Sequence, residues 1–454
     1  MWRSIALAAG PAWLACTHPA PPDPAEALVA AGEALFFEES FEGNGRTCGT
    51  CHRREDNFGL SPALIATLPP DDPLFVAETD PALAADFEKP GPMRDFGLIL
   101  ENLDGFEDLP GRFVLRGVPH VLALRTSVAS AAGPRTGWSG DGSPGDGSLR
   151  SFAVGAVIQH FPRRLDRVAG IDFRLPSDEE LDALEAFMLA LGRQRDLALP
   201  LALRSPVASR GQEIFLDDSL GKCNICHRNA GANASLGGVD VGNASFDTGV
   251  EELPDKPARR VHGPIPSDDG FGFPGNGTFN TPPLVEAADT GPFFHDNSVA
   301  TLEGAVAFYD GPAFAESPAG RTLASLDPQG IAIRLDATQV EAVAAFLRVL
   351  NALENVRAGA LELERASRAG TFARARGERA LRQALEEIGD AIRVLAEAGL
   401  HPDARVHLGE ARRLAERARK AWLSRAGAAG AAARELEAAR ERLVRAGEET
   451  DASR

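Results

Sequence analysis

Two pentapeptides of one pattern, Cys48-Gly-Thr-Cys51-His52 and Cys223-Asn-Ile-Cys226-His227, use four of the five cysteines in this 454-residue chain. Two thiols separated by two residues reach one edge of a porphyrin and form thioethers with its vinyl groups. An imidazole directly after them swings beneath the metal and takes the iron from one side. A redox dithiol or a zinc site needs no histidine immediately after both cysteine pairs, so the spacing favours two covalently bound haem c groups.

The next question is what faces each iron from the far side. The only methionines are Met1, Met93 and Met188, so residues 205–355 contain none. A His/Met-ligated second haem would need one of them to cross between domains. The other ligand candidates in that half are His262, His295, Lys222, Lys256 and Tyr309, the chain's single tyrosine. A phenolate is a hard anionic ligand that favours ferric over ferrous iron and lowers the potential. The competing role for Tyr309 is a half-buried aromatic whose hydroxyl meets a backbone carbonyl.

The elements that position these groups repeat. Residues 1–24 read as a leader and a Pro-rich linker, residues 25–200 as a first cytochrome c-like domain, and residues 205–355 as a second. Gly32-Glu-Ala-Leu-Phe36 precedes the first haem site and Gly211-Gln-Glu-Ile-Phe215 the second. Leu181, Leu184, Phe187 and Leu191 have the spacing of a helix that closes the first half, and Val340, Val343, Phe346 and Leu350 that of one closing the second. The Gly/Pro/Asp-rich stretches 137–147 and 264–283 read as loops, and no strand pattern is persuasive. Residues 356–454 read as a helical hairpin or bundle. Leu381, Leu385, Ile388, Ile392 and Leu395 form an a/d seam, and Leu408, Ala411, Ala415, Ala418 and Trp422 a weaker one. Gly399 to Asp403 stop one helix and start the next. The expected fold is mainly α: two cytochrome c-like domains in tandem plus this appendage.

The fifth cysteine, Cys16, follows one positive charge, a short apolar run and small residues, as in a secretion signal too short to span a membrane. Leu14-Ala15-Cys16 resembles a bacterial lipoprotein cleavage box. The expectation is therefore a periplasmic or cell-envelope protein, with Cys16 as a lipidation site and membrane tether. The net charge of −18 argues against nucleic acid as a partner. The appendage carries 20 Lys/Arg against 16 Asp/Glu, so the acidity lies in the body. There it keeps the chain soluble and offers a surface to a basic electron-donor protein.

Phe279-Asn-Thr-Pro-Pro-Leu-Val, followed by Thr290-Gly-Pro-Phe-Phe-His295 and the run to Tyr309, resembles the signature of bacterial dihaem cytochrome c peroxidases and MauG-type enzymes. Gly45-Arg-Thr-Cys48 and Arg116-Gly-Val-Pro119 match more loosely, and the resemblance spans roughly residues 30–355. It implies that Tyr309, at the position where MauG has its ligating tyrosine and the peroxidases a methionine, seals the second haem. It also implies that Trp138 relays electrons between the haems, although its flank, Trp-Ser-Gly-Asp-Gly, differs from the usual Trp-Asp-Gly-Arg. The first haem would then be the reactive one, with His52 proximal. The family's acid–base Glu, a short way past the relay Trp, is missing: the stretch reads Gly155-Ala-Val-Ile-Gln159-His160. His160 is the replacement candidate as acid/base or iron ligand, Gln159 a candidate for orienting a bound oxygen ligand, and His120 a second histidine candidate. The family's calcium would fall near Thr290 and Pro292, with Ala123 where a side-chain amide is usual.

The leading expectation is thus a dihaem oxidoreductase that activates hydrogen peroxide at the first haem and transfers electrons through the second. Its partner would be a small redox protein, an oxidisable protein or a small molecule. The alternatives are an electron carrier with both irons six-coordinate, and a haem-based sensor or docking module whose helical tail carries the output.

Overall fold

The computed structural model describes residues 23–142, 145–369, 374–421 and 424–445. Cys16, with the leader and lipidation expectations, lies outside them, as does Trp422. The helices that carry the architecture are α1 (Pro24–Glu38), α2 (Leu149–His160), α3 (Asp178–Ala190), α4 (Pro206–Leu216), α5 (Leu302–Phe308), α6 (Ala337–Arg368), α7 (Arg374–Glu397), α8 (Pro402–Lys420) and α9 (Arg425–Leu443). Each Cys-x-x-Cys forms a single helical turn, at Cys48–Cys51 and Cys223–Cys226. The chain is mainly α.

The two halves share one packing device. In the first, α1 crosses α3 at Gly32, where a Cβ would lie 1.9 Å from the Ala183 carbonyl oxygen. In the second, α4 crosses α6 at Gly211, where a Cβ would lie 1.8 Å from the Ala342 carbonyl oxygen. Only glycine lets two helix backbones meet this closely. Four residues on, the same face of the helix presents a phenylalanine to its partner helix. The Phe36 and Phe187 rings are 5.3 Å apart and the Phe215 and Phe346 rings 5.4 Å apart, within the range of favourable aromatic pairs. Capping boxes start both closing helices: Ser177 with Glu180 on α3, and Asp336 with Gln339 on α6.

Three short antiparallel ladders interrupt the helices, contrary to the sequence expectation. They pair β1 (Leu98–Glu101) with β2 (Val114–Gly117), β3 (Asn233–Leu236) with β4 (Val239–Asn243), and β5 (Ser245–Phe246) with β6 (Phe279–Asn280). Strands of two to five residues are too short for alternation to stand out.

The boundary expected at residue 355 also needs correction. Helix α6 runs unbroken through it to Arg368; its buried residues run continuously from Ala342 to Val356 and go on at Gly359, Leu363 and Ala366. Helices α7, α8 and α9 pack onto this extension, so one apolar core joins the second haem domain to the tail. Leu381, Ile388 and Leu395 are buried in α7 together with Ala380, Ala384 and Ala391, a wider stripe than a strict a/d seam. The tail also grips the first half. Arg379 pairs with Glu33 at 3.0 Å, and the Asn57 amide donates to Asp390 at 3.3 Å. Leu443 and Ala202 accept backbone bonds from Arg204 and Arg445 in turn, which fastens the end of α9 to the linker between the halves. Among the described residues no helix is long and apolar enough to cross a membrane.

Candidate functional site

Each Cys-x-x-Cys-His opens onto its own cavity. The first encloses about 1790 Å³ of space, mouth included, and is lined by Cys48, Cys51 and His52. The second encloses about 1320 Å³ and is lined by Cys223, Cys226 and His227. Both are mostly apolar, as a macrocycle requires.

The histidines are held alike. His52 Nδ1 lies 3.0 Å from the Phe58 carbonyl and His227 Nδ1 lies 3.1 Å from the Pro282 carbonyl. A carbonyl only accepts, so each Nδ1 carries the proton and each Nε2 keeps a bare lone pair, the tautomer a metal needs. Burial keeps both rings neutral, pushing His52 below its ordinary value and His227 down to about 4. The same burial pushes the Cys48 and Cys223 thiols up to about 12 and the Cys51 and Cys226 thiols up to about 11. Redox dithiols need the opposite shift, and among the described residues neither motif gathers its ligand atoms as a metal site would.

Three guanidinium groups line the first cavity, as the carboxylates of a haem would want. Arg46 is buried against Glu88 at 3.4 Å, and Arg116 is gripped by both oxygens of Asp268 at 2.6 and 2.9 Å. Arg135 has no carboxylate partner among the described residues, and its buried Nε has no hydrogen-bond acceptor. The residues present fit a haem.

In the second half, all but one of the candidate ligand side chains are engaged by protein partners. Lys222 is tied to Asp327 at 2.8 Å and the Ile331 carbonyl at 2.6 Å. Lys256 sits between Glu251 and Asp296, at 2.8 and 2.7 Å. His295 lines the cavity but gives its Nε2 to Glu251 at 2.9 Å and stacks on Phe279 with ring centroids 3.7 Å apart. His262 pairs with Asp95 on the surface. Met93 is buried in a separate core cluster and Met188 lines the first cavity, so neither reaches the second. Tyr309, at the end of α5, lines the cavity against Phe308 and Phe314. Among the described residues no protein group hydrogen-bonds its hydroxyl, and no carbonyl meets it. Burial pushes the phenol upward, a penalty that a coordinated cation would offset.

Trp138 belongs to the walls of both cavities. Its indole N–H donates to the Gly117 carbonyl at 2.7 Å, and its own carbonyl accepts from Asn280 at 2.6 Å. Gly117 is two residues from Pro119, whose carbonyl faces His52, and Asn280 is two residues from Pro282, which holds His227. One residue thus spans the backbone segments that hold the two imidazoles.

His160 and His120 both line the first cavity. Burial, with Arg46 and Arg167 nearby, pushes His160 down to about 3, and burial pushes His120 down to about 4. The His120 Nδ1 accepts from the Leu122 N–H at 3.3 Å, which places the ring proton on Nε2 and makes that atom a donor, unsuited to bind iron.

Gln159 does not enter the cavity, contrary to expectation. About 100° of helix rotation separates it from His160, and its amide is spent on β1. It accepts from the Asn102 N–H at 3.0 Å and donates to Asn102 Oδ1 at 3.2 Å and the Leu100 carbonyl at 3.5 Å. Between those two residues stands Glu101, which the sequence reading missed and which lines the first cavity. Leu98-Ile-Leu-Glu101, three apolar residues and an acid, carries no alternation that could have singled it out.

At the expected calcium position, Thr290 and Pro292 lie on the first cavity's wall, and the Thr290 hydroxyl donates to the Glu286 carbonyl at 2.9 Å. Ala123 brings no side-chain ligand. The Glu286 carboxylate approaches the same spot, since it and the Ala123 backbone both lie against Gly192, and one of its oxygens is buried without a partner.

No protein-family model and no curated protein sequence matches the chain. Solved structures do. A MauG-like protein associated with microbial copper homeostasis is 18% identical, with a TM-score of 0.37 over 73% of this chain and 90% of its own. The diheme peroxidase BthA from Burkholderia thailandensis is 19% identical, with a TM-score of 0.40 over 73% of this chain and 86% of its own. The chain is similar to MauG-like and diheme peroxidase proteins.

Proposed function

We propose that this chain is an exported dihaem c-type oxidoreductase that reduces hydrogen peroxide at the first cavity with electrons passed through the second. The observation that carries the reading is Trp138, a wall common to two cavities that each present a Cys-x-x-Cys-His imidazole with a bare Nε2. Cys48 and Cys51 hold one haem and Cys223 and Cys226 the other, with His52 and His227 as proximal ligands. Haem iron, when bound, supplies a reversible one-electron site and a Lewis acid for an oxygen ligand.

The chain's own residues make the two sites unequal. Tyr309 closes the second and lowers its potential, so this site handles electrons only. The first keeps a free face. There His120 would offer its Nε2–H as a hydrogen-bond donor to an oxygen ligand, and neutral His160 lines the same pocket. Arg46, Arg116 and Arg135 anchor the haem carboxylates. Trp138 carries electrons between the sites, and a small redox protein docking on the acidic body supplies them. The Thr290 and Pro292 backbone, with Glu286 in place of the absent amide, would hold a calcium ion, which would supply a positive charge there.

Titration of the ferric holoprotein with peroxide and with cyanide, followed in the Soret band, tests the reading. One haem of the two is expected to respond to both ligands, and reduced donor protein to be oxidised on adding peroxide. Two haems that ignore both ligands would make the chain an electron carrier.

A further inference from the structure

Peroxide reduction consumes two protons and two electrons, and its chemistry needs a group that takes a proton from one oxygen and returns it to the other. The stretch from Gly155 to His160, past Trp138, offers no acid for this. We infer that Glu101, delivered from β1, is the proton-transferring group of the first cavity. The inference rests on the peroxide reading above and names the residue that performs its central step.

Four observations place it. Glu101 is the only carboxylate among the residues lining either cavity. Strand parity sends it there: Leu98 and Leu100 bury themselves in a cluster with Leu115 and Ala258, while Ile99 and Glu101, two apart, face the cavity. The α2 helix, which also brings Phe152, Ala153, Ala156 and His160 to the cavity, fixes the strand through Gln159, whose amide bonds the residues on either side of Glu101. The acid therefore stands beside the face of α2 that follows Trp138. Finally, its carboxylate is uncommitted. Arg116 gives its two strongest bonds to Asp268 and leaves the Glu101 carboxylate a single ion-pair contact of 3.7 Å, and among the described residues no hydrogen bond reaches that carboxylate.

The electrostatics agree with the geometry. Burial raises the Glu101 carboxyl above the ordinary carboxylate range, with Arg116 opposing, which moves it toward the pH at which an acid both accepts and returns a proton well. His160, held at about 3, cannot retain a proton near neutrality.

The step balances as follows. Glu101 would accept the proton of one peroxide oxygen, the near one, and hand it to the far oxygen. The O–O bond breaks with its electron pair on the far oxygen, which leaves as water. Two electrons from the reduced redox protein and two protons from solvent complete the second water.

The test uses the full-length holoprotein and its Glu101→Gln, Glu101→Asp and His160→Ala variants. It follows the rate of cyanide binding against pH, haem content, thermal midpoint and peroxide turnover. Cyanide arrives as HCN and binds as the anion, so it needs the same proton acceptor without any turnover. Glu101→Gln is expected to slow cyanide binding at neutral pH and peroxide turnover by about 100-fold or more, with haem content and midpoint unchanged. Glu101→Asp is expected to recover part of both rates, and His160→Ala to change them less than about tenfold. Cyanide binding by Glu101→Gln within about threefold of the native rate would overturn the inference. So would a loss of haem or midpoint shared by Glu101→Asp with an unaltered cyanide pH profile, since Glu101 would then only steady Arg116. If the native protein turns over no peroxide yet Glu101→Gln abolishes the pH dependence of cyanide binding, the peroxide reading fails and the assignment of Glu101 stands.

Discussion

Replacing Gly211 by alanine would push α4 away from α6. The added methyl would lie 1.8 Å from the Ala342 carbonyl oxygen and 2.4 Å from its carbon, where ordinary contact begins at 3.4 Å. The obstacle is backbone, which cannot rotate aside, so the helices must part by roughly 1.5 Å, loosening the Phe215–Phe346 contact and the wall of the second cavity. Overpacking of this kind costs about 3 kcal/mol. Alanine returns ~1 kcal/mol through its better helix propensity. The net loss of about 2 kcal/mol lowers the midpoint by about 4–8 °C in a domain of this size. Gly389, in α7, is the control, because a Cβ there meets nothing within 4 Å and Gly389→Ala should stabilise by ~1 kcal/mol. Gly32→Ala should repeat the Gly211 result, given its 1.9 Å approach to Ala183. Thermal unfolding followed by far-ultraviolet dichroism and by the Soret band gives both numbers. Equal stabilisation by Gly211→Ala and Gly389→Ala would refute the shared helix crossing.

Trp138→Phe keeps an aromatic wall but leaves the Gly117 carbonyl without its donor. It should cost about 1 kcal/mol of stability and slow electron equilibration between the haems by at least about tenfold in stopped-flow reduction, with haem content unchanged. Glu88→Ala strands the buried Arg46 guanidinium at the first cavity and should lower stability by about 3–5 kcal/mol in denaturant titrations. Glu387 of α7 is pushed well above the carboxylate range by burial and by Asp289, Glu286, Asp390 and Glu354 around it. A carboxyl raised in the folded state stabilises while protonated, so stability should fall as pH rises from the ordinary carboxylate range through the raised value. Glu387→Gln should flatten that fall and gain about 1 kcal/mol at pH 8.

The parts of this molecule that chemistry dictates locally were legible in the sequence. Cysteine spacing marked the two Cys-x-x-Cys-His turns that open onto the two cavities, and the repeated Gly32/Phe36 and Gly211/Phe215 pairs marked a like helix before each, which the structure shows meeting its closing helix at the glycine. Counting methionines narrowed the second site, and the structure removed Lys222, Lys256, His262 and His295 through partners distant in sequence. Contacts set by tertiary packing were not legible. Gln159 lost its expected place in the first cavity, and Glu101, of which nothing was expected, stands there, because a four-residue strand carries too little alternation to reveal which side chain faces the cavity. The boundary at residue 355 disappeared into α6 because the helix keeps one buried stripe while its partner changes from α4 to α7.

The central claim is that two identical attachment motifs serve unequal irons, and electron paramagnetic resonance of the ferric holoprotein beside Tyr309→Phe measures it most directly. The account predicts one high-spin and one low-spin signal in the native protein. In Tyr309→Phe the low-spin signal should be lost or shifted and the potential of that haem should rise, while the cyanide-sensitive high-spin signal stays. Two low-spin signals that neither cyanide nor Tyr309→Phe alters would contradict it.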